Sequence, residues 1–200
     1  AEIRPVPPAR PAASWTQWGG SAQREGGHLA APASLSLAWT AEAGTPSGAR
    51  APAGPPIVAE GRVFLRDGAA AVLAFDAASG RELWRTDLAP EGEERDDGHG
   101  GGVAIADGVL VATTGFGEML GLAPATGEIL WRVAAEAPFR APPAAADGLA
   151  VAVTRAHEAV AVELATGARL WSAASVIDRP GALPGAAPAL ATGVVAAPFG

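Results

Sequence analysis

The residues most able to do chemistry in this chain stand together in one acidic segment, Glu91-Gly-Glu-Glu-Arg-Asp-Asp-Gly-His99. The segment holds five carboxylates and one histidine, and oxygen ligands of this kind suit a hard cation such as Ca²⁺. The spacing does not match a calcium-binding loop, and acids crowded beside glycine favour a solvated surface segment. We therefore predict no metal site here and interpret the segment as a polar loop for protein contacts.

Two other patterns could bind or transform a ligand. Gly98-His-Gly-Gly-Gly102 is similar to a phosphate-cradling loop, but no Lys-Ser or Lys-Thr follows and Val103 stands where a third glycine is needed. The histidines His28, His99 and His157 are far apart, and none lies near a Ser or Cys in a recognisable nucleophile motif. The sequence therefore predicts no catalytic residue, no cofactor-binding residue and no metal ligand.

The composition excludes several classes of function. A formal net charge of −7 argues against general nucleic-acid binding, which requires a basic surface. The absence of cysteine excludes disulfides, cysteine-ligated zinc and thiol catalysis within the chain. No apolar run approaches the roughly 20 residues of a membrane-spanning helix. The 200 residues, 49% of them hydrophobic, are enough for one large domain or two small ones.

The elements that must position all these residues form a repeat. Trp39, Trp84, Trp131 and Trp171 follow one another at intervals of 45, 47 and 40 residues. Before each of the last three stand two short apolar runs and a glycine-containing turn. A repeat of about 40 to 50 residues made of short strands is typical of a β-propeller blade. The predicted fold is therefore all-β, built of four-stranded antiparallel blades.

Each repeat is predicted to hold four short strands. They are placed at 56–59, 62–66, 70–75 and 81–84, at 103–106, 109–113, 119–122 and 129–133, and at 144–146, 149–154, 158–162 and 169–172. A further repeat begins at Pro188, and residues 34–39 alternate as a half-buried strand does. Asp67-Gly68 is predicted to be a hairpin turn in which Gly68 has positive φ. No segment sustains a helical period without Gly or Pro.

The repeated residues have a structural interpretation. The Asp of the turn is expected to accept hydrogen bonds from the N–H groups that follow it, and the Gly to supply the left-handed residue. The Trp is expected to fill the gap between neighbouring sheets, with its indole N–H bonded to a backbone carbonyl. The residues predicted to carry this structural repeat are Asp76, Gly80, Trp84, Gly127, Trp131, Gly167 and Trp171.

The chain is expected to be a fragment with two parts. Residues 1–14, with four Pro in the eleven positions from 3 to 13, are predicted to be an extended tether. Residues 15–200 are predicted to be a partial propeller of about three to four blades, the last one cut off. Such an open arc is expected to expose apolar faces and unpaired edges and to be poorly soluble.

The same motifs carry a resemblance to a known family. The phrase Ala74-Phe-Asp-Ala-Ala-Ser-Gly-Arg-Glu-Leu-Trp84 resembles the repeat of PQQ-like β-propellers. In the later copies Ala123 and Glu163 stand in place of the Asp, so those turns are expected to be looser. Within the superfamily the chain is similar to BamB-type lipoproteins in its Trp15-Thr-Gln-Trp-Gly-Gly20 opening, its segment 35–39, its glycines 100–102 and its segment 113–118.

This resemblance implies an eight-bladed ring and a non-enzymatic function. It implies a periplasmic scaffold, associated with the outer membrane of a Gram-negative bacterium, that aids the insertion of β-barrel proteins through contacts with the barrel-assembly complex. It implies no nucleic-acid partner and no cofactor, and membrane contact only through a lipid anchor outside this chain. Two alternatives stay open: a fragment of a PQQ-dependent dehydrogenase, and a generic propeller binding or sensor domain. Superfamily enzymes that hold pyrroloquinoline quinone resemble one another in a vicinal Cys pair and a Ca²⁺ site, whereas this chain has neither Cys nor Asn.

Overall fold

The computed structural model describes residues 6–44, 54–95, 98, 100–139, 141–175 and 186–199. Those residues contain fourteen strands and no α-helix. The strands form three four-stranded antiparallel sheets and one two-stranded sheet, which confirms the predicted all-β class. In this part of the chain no helix is long and apolar enough to cross a membrane.

Each sheet is one blade, with its strands paired in chain order from the inner to the outer edge. Blade 1 contains β1 (Ile57–Ala59), β2 (Arg62–Arg66), β3 (Ala71–Asp76) and β4 (Glu82–Asp87). Blade 2 contains β5 (Gly101–Ala106), β6 (Val109–Thr114), β7 (Glu118–Leu122) and β8 (Ile129–Ala134). Blade 3 contains β9 (Ala144–Ala146), β10 (Leu149–Val153), β11 (Glu158–Glu163) and β12 (Arg169–Ala174). Partial blade 4 contains β13 (Ala189–Ala191) and β14 (Val194–Ala196).

The core lies between the blades. The inner strands β1, β5, β9 and β13 contact one another in that order, so the blades are arranged as successive members of an arc. Strand β6 has all six residues buried because its alternating side chains serve two interfaces. Leu110 and Ala112 join the apolar cluster shared with blade 1, and Val109 and Val111 join the cluster shared with blade 3.

The two ends of each blade carry different connections. At one end, hairpins 60–61, 107–108, 147–148 and 192–193 have φ between 46° and 76° at both residues, the pattern of type I′ turns. The turns that contain Gly80, Gly127 and Gly167 belong to the same end, where Ala77 N donates to Gly61 O at 2.9 Å. We call this the turn end. The opposite end, the loop end, carries 67–70, 115–117, 155–157 and the connection that leaves blade 1 after Leu88.

The predicted turn at Asp67-Gly68 is wrong in its geometry. Ala70, not Gly68, is the residue with positive φ, at 59°. The loop is longer than a two-residue hairpin, because Asp67 N donates to Ala71 O at 2.9 Å. The Asp67 carboxylate replaces the missing turn bonds by accepting from Ala69 N at 2.9 Å and Ala71 N at 2.8 Å.

The strand predicted at 34–39 is also wrong, because no strand is found at these residues. Leu35 and Leu37 are 85% and 81% exposed, and within the described ranges no neighbouring strand pairs with this segment. Alternation alone does not make a strand, because a strand requires a ladder partner.

The N-terminal segment contacts residues 28–30 ahead of the blades. Residues 6–14 are exposed, and residues 1–5 lie outside the described ranges. Arg10 forms a parallel bridge to Leu29, with Arg10 N donating to His28 O at 2.9 Å and Ala30 N to Arg10 O at 2.8 Å. The tether function of residues 1–14 stays a prediction.

Candidate functional site: interblade contacts and a charged loop end

Three of the four repeat tryptophans pack on a turn of the next blade. The indole Nε1 of Trp39 donates to Ala77 O at 3.0 Å, that of Trp84 to Pro124 O at 3.0 Å, and that of Trp131 to Leu164 O at 2.9 Å. Each accepting carbonyl stands three residues before the turn glycine, which is Gly80, Gly127 or Gly167. The contact is therefore the same in three successive interfaces, and Trp39 occupies the place of an outer-strand Trp that precedes blade 1.

Two features let the glycine accept the ring. Gly80, Gly127 and Gly167 have φ of 73°, 76° and 74°, in the left-handed region that glycine adopts without strain. A Cβ on any of them would lie 2.5 to 2.8 Å from atoms of the packed indole ring. Glycine at this position is thus required both by the backbone and by the space that the tryptophan occupies.

A β-bulge directs each tryptophan toward the next blade. The register shifts at Ala74/Phe75, Gly121/Leu122 and Ala161/Val162, beside the residues paired with Trp84, Trp131 and Trp171. Bulges of this kind turn a side chain away from its regular direction. The residue opposite each Trp is Ala or Gly, and a Cβ on Gly121 would lie 2.2 Å from the Trp131 ring. The sequence pattern did not predict these bulges.

The last tryptophan of the repeat differs from the others. Trp171 is 37% exposed, whereas Trp131 is 8% exposed, and every residue of β12 is exposed. Within the described ranges the Trp171 indole donates no hydrogen bond. Burial of this side chain therefore depends on the following blade and not on its own sheet.

The turn that Trp39 packs on is capped by Asp76. Its Oδ1 accepts from Ser79 Oγ at 2.7 Å and from Ser79 N at 2.8 Å. The Ser79 hydroxyl, followed by the Ser79 backbone N–H, lowers the pKa of the Asp76 carboxyl. Gly80 N closes the turn by donating to Asp76 O at 2.8 Å.

The other two turns keep the same closure without Asp. Gly127 N donates to Ala123 O at 2.8 Å, and Gly167 N donates to Glu163 O at 2.8 Å. The expectation that these turns are looser is therefore not met in the backbone hydrogen bond. In blade 3 the Glu163 carboxylate also accepts from the Thr166 hydroxyl.

The loop end of blade 1 carries a charged surface. A cavity of about 170 Å³ is lined by Asp67, Ala69, Ala71, Arg85, Asp87 and Arg95, which we call the loop-end surface. Arg85 lies 3.0 Å from Glu82 and 3.8 Å from Asp67, and Arg95 pairs with Asp87. The Glu82 carboxylate raises the pKa of Arg85 by accepting its hydrogen bonds.

A buried arginine lies beneath this surface. Arg66, at the end of β2, is 1% exposed, and its Nη2 donates to Gly98 O. Within the described ranges its Nε and Nη1 have no hydrogen-bond partner. Desolvation by burial lowers the pKa of Arg66 to about 10, partly offset by the charge of Asp67. The sequence pattern places Arg66 at the end of an amphipathic strand. No feature of this pattern distinguishes it from an exposed arginine.

Within the described residues, the motifs that were weighed for chemistry in the sequence do not meet in one site. Glu91, Glu93 and Glu94 are exposed, while Asp96, Asp97 and His99 lie outside the described ranges. In the described part of the chain no three His, Asp or Glu side chains are grouped as a metal site requires. The glycines at 101 and 102 begin strand β5, so no helix follows them. His28 Nδ1 lies 2.8 Å from Pro7 O, and His157 is a residue of the 155–157 loop.

These observations define the class of protein. Consecutive four-stranded blades, in which the outer-strand tryptophan packs on the glycine turn of the next blade, form part of a PQQ-like β-propeller. A family model described as "Outer membrane protein assembly factor BamB" matches residues 26–91 and 68–200. The chain belongs to this family.

Solved structures that the chain resembles include two dehydrogenases and a BamB protein. The quinohemoprotein alcohol dehydrogenase ADHIIG from Pseudomonas putida HK5 has a TM-score of 0.66 and 20% identity, over 80% of this chain and 26% of that one. A europium-containing methanol dehydrogenase has a TM-score of 0.67 and 18% identity, over 80% and 32%. BamB from Moraxella catarrhalis has a TM-score of 0.47 and 19% identity, over 59% and 38%.

At these identities the likeness to the two dehydrogenases shows the fold alone. The chain covers only 26 to 38% of the length of these three proteins. No curated protein matches its sequence.

Proposed function

We propose that this chain is part of a non-enzymatic scaffold subunit that aids the assembly and insertion of β-barrel proteins into the outer membrane. Membership of the BamB family carries this proposal. The proposed location is the periplasm of a Gram-negative bacterium, at the outer membrane, and the proposed partner is the barrel-assembly complex. The proposal includes no cofactor, no nucleic acid and no catalytic residue.

The loop-end surface is the part of the chain that we propose contacts the partner. Side chains of Arg85, Asp87 and Arg95 are 40%, 41% and 66% exposed while they form ion pairs. Exposed ion pairs contribute about 0–1 kcal/mol each. Breaking the exposed pairs Arg85–Glu82 and Arg95–Asp87 to pair with charges of a partner therefore costs little. Glu91, Glu93 and Glu94 extend the charged surface along the same connection.

Binding of the tagged chain to the purified barrel-assembly complex tests the proposal. We expect Arg95→Glu to weaken binding by about tenfold, because a reversed charge at an interface repels the matching charge of the partner. The double variant Asp87→Arg with Arg95→Glu restores an ion pair of reversed polarity. It is expected to keep the fold and to bind as weakly as the single variant.

The control is Arg155→Glu, an exposed arginine at the loop end of blade 3, for which we expect unchanged binding. If the unaltered chain does not bind the complex, the scaffold proposal fails. Dye reduction that depends on added pyrroloquinoline quinone and Ca²⁺ would instead support the dehydrogenase alternative. Full binding by Arg95→Glu would place the contact elsewhere on the chain.

A further inference from the structure

Residues 15–24 run along the inner edges of the blades, and we call them the inner-edge strap. In blade 1 the contact is a backbone bridge: Trp15 N donates to Val58 O at 2.7 Å, and Val58 N donates to Trp15 O at 2.8 Å. In blade 2 the next residue of the strap continues the contact, because Ile105 N donates to Thr16 O at 2.9 Å. Two consecutive strap residues thus bond to two neighbouring blades.

In blade 3 a side chain takes over the role of the backbone. Gln17 Nε2 donates to Ala145 O at 3.0 Å, and Ala145 N donates to Gln17 Oε1 at 3.1 Å. The side-chain amide of Gln17 thus makes with Ala145 the same pair of hydrogen bonds that the backbone N–H and C=O of Trp15 make with Val58. Gln17 is only 2% exposed, so both groups of Ala145 are satisfied in a buried place.

The strap reaches partial blade 4 after a turn. Leu190 N donates to Ala22 O at 2.9 Å, and Arg24 donates to Pro188 O through Nε at 3.0 Å and also through Nη2. Ala22 is buried in the apolar cluster that contains Ala144 and Leu190. One ten-residue segment therefore touches all four described blades.

The four contacted positions are equivalent in the repeat. Val58, Ile105, Ala145 and Leu190 each stand two residues before the first residue of the inner hairpin, at 60, 107, 147 and 192. The inner strand is a sheet edge, and its outward N–H groups are left unpaired by its own blade. At this position the strap accepts from the same N–H in every described blade.

We infer that the inner-edge strap sets the spacing of successive blades, and that Gln17 is the positioning residue for blade 3. A single segment bonded to the same N–H of each inner edge fixes the separation of those edges, in addition to the side-chain packing between the sheets. Of the natural side chains, the amide of Gln combines a donor and an acceptor at this reach. The inference does not depend on the proposed function.

The distance between two blades is the direct measurement. The chain has no native cysteine, so spin labels are placed in the 200-residue chain at Ala78→Cys and Ala165→Cys. These two exposed residues occupy the same turn position in blades 1 and 3. In Gln17→Leu we expect the distance distribution between the labels to broaden. We also expect amide exchange at Ala145 to accelerate by about tenfold, as loss of a buried hydrogen bond predicts.

Two further variants make the result decisive. Gln17→Asn keeps the amide but is shorter by one methylene, so we expect a smaller change in the same direction; it replaces Gln17→Leu if that variant does not fold. Gln23→Leu alters an exposed strap residue and is expected to leave both measurements unchanged. Faster exchange at Ala145 with an unchanged label distance in both Gln17 variants would overturn the positioning role, as would no change in either measurement.

Discussion

The turn end and the loop end of these blades use their residues in opposite ways. At the turn end, glycine turns receive tryptophans, and the strap bonds the inner edges, through contacts that are mostly uncharged and repeated in successive interfaces. At the loop end of blade 1, Arg66, Asp67, Arg85, Asp87 and Arg95 form a charged group. Among the described residues of blade 2 only the Arg85 position recurs, as Arg132, which pairs with Glu118. Repetition marks the contacts that hold the arc together, and departure from it marks the surface that we propose contacts a partner.

The largest expected effect separates a packed tryptophan from an unpacked one. We expect Trp131→Ala to lower the free energy of unfolding by about 3–5 kcal/mol, because the ring is buried between two blades. Trp171→Ala is expected to cost about 1 kcal/mol, since this ring is 37% exposed. Urea denaturation followed by circular dichroism measures both. Equal losses would mean that interblade packing is not what stabilises the turn end.

A second comparison separates backbone strain from packing at the turn end. Gly127 and Gly148 have φ of 76° and 74°, so alanine at either position carries a strain of about 1 kcal/mol. A Cβ at Gly127 would lie 2.5 Å from the Trp84 ring. A Cβ at Gly148 would have no packing neighbour within 4 Å. We therefore expect Gly127→Ala to cost a further 1–3 kcal/mol, roughly the penalty of overpacking. Thermal and urea denaturation of the two variants side by side provide the measurement.

At the loop end, removal of a buried charge is expected to change the free energy of unfolding in the opposite direction, or not at all. Arg66→Met should leave the free energy of unfolding unchanged or raise it by up to about 2 kcal/mol, because a buried guanidinium with incomplete hydrogen bonding costs desolvation. Arg155→Met, on the exposed surface of blade 3, is the control and should change little. A marked loss of stability in Arg66→Met would show that the loop end also holds the fold, and the division between the two ends would not stand.

The buried Arg66 also predicts a pH dependence of the free energy of unfolding. Burial lowers the folded-state pKa of Arg66 to about 10, below the ordinary value of a guanidinium. Above pH 10 the unfolded chain therefore binds more protons at this residue, and the free energy of unfolding should rise with pH relative to Arg66→Met. The chain has no Lys, Tyr or Cys to titrate in this range. Parallel urea titrations of the two proteins from pH 9 to 11 measure the difference, which should be flat below pH 9.

The smallest expected effect concerns the cap of the blade 1 turn. The pKa of Asp76 is lowered by its hydrogen bonds to Ser79, so its contribution is present above the unfolded pKa of about 3.9 and lost as pH falls through the lower folded value. Asp76→Ala should remove this acid dependence and cost less than any glycine substitution above. Ala123→Asp adds the missing carboxylate to the blade 2 turn and should introduce a similar dependence. Denaturation midpoints between pH 2 and 6 measure both.

The strands were predictable because the same apolar alternation and glycine turns recur in each repeat. Alternating apolar runs end at turns such as Asp107-Gly108 and Asp147-Gly148, and the observed bounds differ from the predicted ones by a few residues. The outer strands continue three residues beyond each Trp, because pairing with the preceding strand continues after the apolar pattern has ended. The turn at Asp67 was mispredicted because its carboxylate, and not Gly68, completes the loop.

Other features of the candidate site leave no local signal. Gln17 lies 128 positions from Ala145, and nothing near either residue indicates their contact. The burial of Arg66 depends on a connection from another part of the chain that brings Gly98 onto it. The segment 34–39 shows the converse, because its alternation indicates a strand and yet no described strand pairs with it.

The sequence by itself determined the all-β class, the length of the repeat, the order of strands within each blade and the recurrence of a glycine turn before tryptophan. These follow from local rules of side-chain alternation and of positive φ, which a short stretch of residues already contains. Only the tertiary structure decided which turn receives each tryptophan, which arginine is buried and how residues 15–24 bond to four separate sheets. Those contacts join residues distant in the chain, and their energies depend on burial and hydrogen-bond geometry that exist only after the blades have packed.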